Sequence, residues 1–348
     1  MVKFSRSTGF QRELKKAVDE YFRATGLARR DLPAMYLKTV VILCWCALSY
    51  WLLIFVATEW YQAVPLCLSL ALGLAGIGFN IQHDGNHGAY SNSPLINSLM
   101  GSTLDLVGGS SYLWRIKHNV LHHTYTNIVG LDTDIDLEPL AHLPPGPPPK
   151  SIHRLQFLYL WFFYGLLAVK WHWFDDFRDL VRRRMGVSEF AWPRRWEGVR
   201  LFAGKAVAFC LLFVIPATRH SLATVILFYL LTSFVLGLTL SVVFQLAHCV
   251  EEAGFKQSDN KMDDWAIHQV QTTMNFGRGS RLLTWYVGGL NYQIEHHLFP
   301  KICHLHYPAL SPLIEQICLR FGVRYSSHET LSGALGSHYR FLRSKALS

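Results

Sequence analysis

Three short clusters hold the residues of this chain best suited to chemistry. They read His83-Asp-Gly-Asn-His87, His118-Asn-Val-Leu-His122-His123, and Asn291-Tyr-Gln-Ile-Glu-His-His-Leu-Phe-Pro300; the last holds the pair His296–His297, with Gln293 three residues ahead of it. Neutral imidazole is the commonest protein ligand for transition metals. Residues four apart on a helix share a face, so His83 and His87 converge on one point, as do His118 and His122. His123 and His297 then supply neighbours for a second ion. A single histidine in a hydrophobic protein is more often a hydrogen-bonded core residue than a ligand. Seven of the 17 histidines packed into three tight boxes need another explanation, and a metal centre is the natural one.

Such boxes need elements to hold them, and the composition says which. The chain has 348 residues, 51% hydrophobic and only 16% charged. Its apolar residues come in long blocks at about 39–57, 64–82, 201–218 and 222–247, interrupted by a single charge, Lys205. About 20 apolar residues cross the ~30 Å hydrocarbon layer as a helix. The predicted fold class is therefore an all-α integral membrane protein with four transmembrane helices and a cytoplasmic helical cap carrying a histidine-rich di-metal site. Lys and Arg set the orientation. Nine precede the first span, none lies between spans one and two, eleven lie in 82–199, one between spans three and four, and ten after Ala247. Both termini and the histidine boxes are thus expected on the cytoplasmic side. That would be the inner membrane in a bacterium or the endoplasmic reticulum in a eukaryote. The net charge of +9 follows from this asymmetry and calls for no nucleic-acid partner. The odd number of cysteines, seven, without a CxxC pair, excludes a disulfide framework and a zinc ribbon.

Residues 1–38 read as a cytoplasmic amphipathic segment, a helix over about 11–25 lying on the membrane surface. A single domain, 39–348, follows, with the cap formed by 83–199 and 248–348. The second apolar run flows without a stop into His83. The fourth, 26 residues at ~1.5 Å each, reaches ~39 Å, about 9 Å more than the bilayer core. The surplus lifts Gln245 and His248 to the level of the boxes and makes His248 a further ligand candidate. Most of the acidic run 132–138 reads as a solvated face, with one member supporting a histidine N–H. The proline-rich loop 143–150 excludes regular helix. The aromatic stretch 155–174, which holds Lys170 and His172, reads as a helix on the cytoplasmic surface; as a fifth span it would separate box three from the others.

Structural zinc closes with four ligands, often cysteine, and carboxylate-type di-iron bundles use Glu-x-x-His. Neither pattern is present. A nitrogen-rich set large enough for two ions at a membrane surface suits iron used for O₂ activation. The bond beside a bilayer that demands such power is an unactivated lipid C–H. Tyr112, Trp114 and Tyr286 are candidates to line a channel for the acyl chain.

The three boxes, in order and spacing over roughly residues 60–305, resemble those of the membrane fatty acid desaturases, and most closely the front-end, linoleoyl-CoA-desaturase-like branch. The resemblance implies a non-haem di-iron centre (two Fe), O₂ as co-substrate, two external electrons and insertion of a double bond into a long acyl chain, as acyl-CoA or acyl-lipid. It makes His83, His87, His118, His122, His123, His296 and His297 ligands, and His248 matches the family's additional histidine. Gln293 stands where many members carry histidine; glutamine there resembles front-end enzymes, acting as a weak ligand or through a hydrogen bond. Many front-end relatives carry a fused cytochrome b5 domain. The 38 residues before the first span are too few for one, so the expected partners are the bilayer and a separate donor, a ferredoxin or cytochrome b5 with its reductase. Two other readings share these residues: a di-iron hydroxylase or ketolase of a lipid or hydrocarbon, and a multi-span zinc hydrolase or receptor.

Overall fold

The computed structural model describes residues 2–5, 9–137, 139–143, 149–258 and 264–347. Most of the proline loop expected at 143–150 lies outside the described residues. Among the described residues, four helices are long and apolar enough to cross a membrane: Pro33–Phe55, Trp60–His87, Arg195–Ala217 and Leu222–His248. They run beyond the apolar blocks because helices extend through polar flanks that hydropathy leaves out. The first and second spans form a hairpin whose turn is closed by Gln62, which accepts from the amides of Thr58 and Glu59.

The second span is the one that matters for the site. Beyond Gly76 its turns widen to a π-helix over Ile77–Gln82 before tightening again at His83–His87. A widened turn disturbs the regular carbonyl ladder, and side chains make up the difference. Asn80 Nδ2 donates to Gly76 O and to Tyr286 O, both at 2.9 Å, and Gln82 Nε2 donates to Gly78 O. The helix stops at Gly88, whose φ of +72° is the left-handed conformation glycine takes at low cost. Box one is therefore the last turn of a membrane helix.

Two elements differ from the sequence reading. The N-terminal helix Phe10–Thr25 does carry an apolar stripe, but Phe10, Leu14, Val18 and Phe22 are buried against Leu310, Ile314 and Ile317 of the helix Tyr307–Arg320. It packs on protein, with Tyr292, Ile294 and Leu298 of box three in the same cluster. The segment after it ties boxes together: Arg30 donates to Gly88 O at 2.7 Å, and Arg29 O accepts from Cys303 N at 2.9 Å. The second difference lies at 155–174. In place of one helix, Ser151–Gly165 and Leu167–Arg182 meet at a bend of 57°. They lean on the fourth span where Gly237 has no room for a side chain, since a Cβ there would meet Gly165 O at 2.6 Å.

The C-terminal helix Leu331–Leu347 closes the end of the fourth span. His338 bridges the Tyr164 hydroxyl at 3.1 Å and Cys249 O at 2.6 Å, one residue past His248.

Candidate metal centre

Four pieces of chain bring the boxes together. The last turn of the second span presents His83 and His87, with ring centroids 4.7 Å apart. The end of the fourth span delivers His248. The helix Gln293–Leu298 carries His296 and His297. Box two lies on a π-helical stretch, Arg115–His122, and this changes its phase. In an α-helix His118 and His122 would aim at one point. With the wider turn, His118 meets the residue five along, His123, at 3.3 Å between Nε2 atoms. His122 turns aside to His248 and His297, with ring centroids at 4.6 and 5.0 Å.

The result is two adjoining pockets within one continuous cluster, since His118 and His122 still stack at 5.2 Å. His83, His87, His118 and His296 each offer a nitrogen, all within 4.8 Å of one another; so do His122, His248 and His297. His123 stands at the join, with its Nε2 3.0 Å from that of His296 and its ring stacked on His297 at 4.2 Å. All eight imidazoles are buried. The arrangement fits metal ions on physical grounds. His87 Nε2, His122 Nε2, His297 Nε2, His123 Nδ1 and His248 Nδ1 are buried with no hydrogen-bond partner, a costly state for a polar atom. Ligands bound at ~2.1 Å to one ion lie ~3 Å apart, close to the spacing of His123 from His118 and from His296. Burial, joined by repulsion from neighbouring imidazolium charge, pushes His123, His296 and His297 far below the ordinary imidazole pKa. Burial also takes His118 down to about 3. Neutral rings with free lone pairs are the metal-binding form.

A family model for fatty acid desaturases matches residues 58–329, most of the chain. The chain belongs to the fatty acid desaturase family. It is 40% identical to a sn-1 linoleoyl-lipid 6-desaturase of Arthrospira platensis, over all of this chain and 95% of that protein. It is 37% identical to the enzyme of the same name from Synechocystis, over 98% of this chain and 96% of that protein. An acyl-lipid (8-3)-desaturase of Physcomitrium patens is 35% identical over 96% of this chain and 71% of its own length. The protein is thus a membrane oxidoreductase.

Around the pockets of the desaturase lies a ring of hydrogen-bond partners that orient the imidazoles. Asp132 Oδ2 accepts from His122 Nδ1 at 2.9 Å and from the Asn127 amide at 2.9 Å. Burial opposes the His122 cation, but this carboxylate outweighs it and raises the pKa of the ring. Asp134 approaches His118 Nδ1 at 3.9 Å and pairs with Lys117 at 2.7 Å. Burial would raise its carboxyl, yet the Lys117 ammonium holds it well below the usual range. Two members of the acidic run therefore support the site, where the sequence reading allowed one. His297 Nδ1 lies 2.8 Å from Gln269 Oε1, and His296 Nδ1 lies 3.3 Å from the Tyr307 hydroxyl.

One chain of partners escaped sequence reading altogether. Asp84 Oδ2, beside His83, accepts from His304 Nδ1 at 2.9 Å, and His304 Nε2 meets Lys38 Nζ at 2.9 Å. All three are buried. The available hint was His304 and His306 following box three so closely; nothing local singled out Lys38. Of the channel candidates, Trp114 stacks on His118 at 4.3 Å and faces His83 and His87 at 5.6 and 5.5 Å. Tyr112 donates to Ala191 O and Tyr286 to Leu72 O; among the described residues neither ring touches a box imidazole. Gln293 lies with Nε2 2.9 Å from His248 Nε2.

Asp132→Asn keeps the shape of this support and removes its charge. The expected result is metal held ~10–100-fold less tightly, measured by chelator competition on the purified enzyme. Unchanged retention would remove Asp132 from the site.

Proposed function

We propose that this desaturase inserts a double bond into the acyl chain of a membrane glycerolipid, on the carboxyl side of an existing one. The reading is carried by the two adjoining pockets, each built of imidazole nitrogen at the end of an apolar helix. The names of the relatives, acyl-lipid desaturases acting at positions 6 and 8-3, support the acyl-lipid substrate and the front-end position. In this reading His83, His87, His118 and His296 would hold one iron and His122, His248 and His297 the other, with His123 between the two sets. When bound, the pair of irons supplies the activation of O₂ that an unactivated methylene requires. Two hydrogens leave adjacent carbons of the chain, and O₂ becomes two waters with two electrons and two protons from outside. A separate redox protein, a ferredoxin or cytochrome b5, delivers those electrons at the cytoplasmic face.

The protein's own part is placement and dryness. Trp114 roofs the first pocket, and Phe244 covers the second, its ring 5.2 Å from His122 and 4.7 Å from His248. Aromatic walls of this kind keep water from competing with the acyl chain and hold the reacting carbons in a narrow range of orientation. Gln293 belongs to the second pocket. Its amide oxygen and nitrogen are interchangeable by a half-turn, and the turned carbonyl would stand beside His248 at the spacing of neighbouring ligands. Gln293→His is expected to retain metal and lower turnover by roughly tenfold; an unchanged rate and product profile would remove the residue from the site.

The deciding experiment is to express the chain and compare lipid methyl esters by mass spectrometry, with and without O₂. Oxygen-dependent products lighter by two hydrogens support the reading. Products heavier by one oxygen would make the protein a hydroxylase, and zinc in anaerobically purified protein would remove the redox chemistry.

A further inference from the structure

We propose that the short helix Pro94–Gly101 is the place where the enzyme takes its glycerolipid from the inner leaflet; the inference rests on the acyl-lipid reading above. Residues 91–104 carry no charge, although they stand in a part of the chain expected to be cytoplasmic cap. Leu95 and Leu99, one turn apart on the same face, are 79% and 63% exposed, and Leu106 continues the exposed apolar surface. A soluble cap has no reason to turn such a face to water.

The third span shows the depth at which this helix lies. Arg200 Nη1 donates to Ser98 Oγ at 2.8 Å, and Arg200 stands 17 residues, ~26 Å, from the outer end of that span at Ala217. A Cβ on Gly204 would meet Asp105, which puts Asp105 at ~20 Å on the same scale. The hydrocarbon layer is ~30 Å thick. Measured from Ala217, residues 98–105 therefore fall within the inner third of that layer, ~4–10 Å from its inner edge. On one side Ile96 and Met100 pack against a buried cluster that includes Met35 and Ile42 of the first span; on the other stands the third span. Both spans turn apolar side chains outward, Leu37 and Val41 on the first and Phe202 on the third. The Leu95–Leu99 face thus continues the lipid-facing belt across the gap between them. Trp192, Trp196, Arg194 and Arg195 are exposed at the foot of the third span, the residue types that settle at lipid head groups.

The same helix touches the metal site through its backbone. Asn86, in box one, donates to Gly101 O at 3.1 Å, and a Cβ on Gly85 would collide with the Gly101 amide. Arg115 joins the two regions, reaching Asn86 Oδ1 at 3.2 Å and Glu197 at 2.9 Å. A lipid chain lying on Leu95 and Leu99 is thus one helix away from His83 and His87.

The test uses the full-length enzyme in nanodiscs containing phosphatidylcholine with a photoactivatable diazirine on one acyl chain, with adducts mapped by peptide mass spectrometry. Adducts are expected in 94–106 as well as on the spans. Leu95→Lys/Leu99→Lys should lose most of those adducts and raise KM for bilayer lipid by about tenfold while metal content stays constant. The milder Leu95→Ser/Leu99→Ser pair should shift both readouts the same way and serves if the lysine pair fails to fold. Adducts on the spans but none in 94–106, chain-to-chain adducts through this face, or an unchanged KM in either variant would overturn the proposal. Adduct formation needs no turnover. Adducts in 94–106 without any desaturated lipid would sink the acyl-lipid reading and leave the lipid-contact surface standing.

Discussion

His122→Ala is expected to abolish desaturation and empty the second pocket of metal. The ring is fully buried, anchored by Asp132 at 2.9 Å and packed against His248 and His297. Its loss leaves two imidazoles where three converged and takes from the Asp132 carboxylate the Nδ1–H donor it holds. Losing an outer partner alone costs ~10–100-fold in metal affinity or activity, so losing the ligand itself should exceed that, with no product above background. Metal analysis of the purified variant and product analysis of the expressing cells read the two halves separately. His220→Ala is the control, because His220 bonds Ile54 O at the other end of the span hairpin and should leave metal and product intact. Full metal content with normal product in His122→Ala would dissolve the two-pocket arrangement.

Gly85→Val should be the most damaging change outside the histidines. A Cβ at Gly85 meets the backbone of Gly101, Met100 and Asn97, and no side-chain rotation relieves a backbone clash. Box one must then part from Pro94–Gly101, breaking the bond from Asn86 to Gly101 O. A loss on the order of 3 kcal/mol or more is expected, with metal lost as His83 and His87 shift. Neighbouring glycines set the scale. At Gly101 the three atoms nearest an added Cβ belong to the Asn86 side chain and not to backbone, so Gly101→Ala should be milder. Gly88→Ala meets nothing within 4 Å and bears only the strain of φ +72°, about 1–2 kcal/mol. Thermal unfolding of the three alanine variants should rank Gly85, Gly101 and Gly88 by where the added methyl lands for the first two, with Gly88 near the mild end. Equal stability for Gly85→Ala and wild type would mean that box one and the lipid-side helix are not in contact.

Part of this molecule could be read along the chain, because the forces involved act between near neighbours. Crossing a bilayer demands a continuous apolar run, so four spans stand out in the composition. An overlong run carries its surplus out of the hydrocarbon, so His248 could be placed beside the boxes from length alone. The boxes themselves are local repeats on helices. The same reasoning failed where the answer depended on what a helix packs against. The stripe of Phe10, Leu14, Val18 and Phe22 suits lipid and protein equally, and only the helix Tyr307–Arg320 decides for protein.

Sequence alone therefore singled out the seven boxed histidines and His248 as candidates for one site, with His83, His87 and His248 at the ends of membrane helices. Tertiary structure decided how that site is divided and what holds it. A spacing of four predicts His118 with His122 while the helix keeps 3.6 residues per turn; with the wider turn over Arg115–His122 the two rings still stack, but His118 also meets His123 at 3.3 Å and His122 lies against His248 and His297. The link from Lys38 through His304 to Asp84 joins residues 266 and 220 positions apart. Periodicity is set by the nearest few residues, whereas such a link exists only once distant helices have packed.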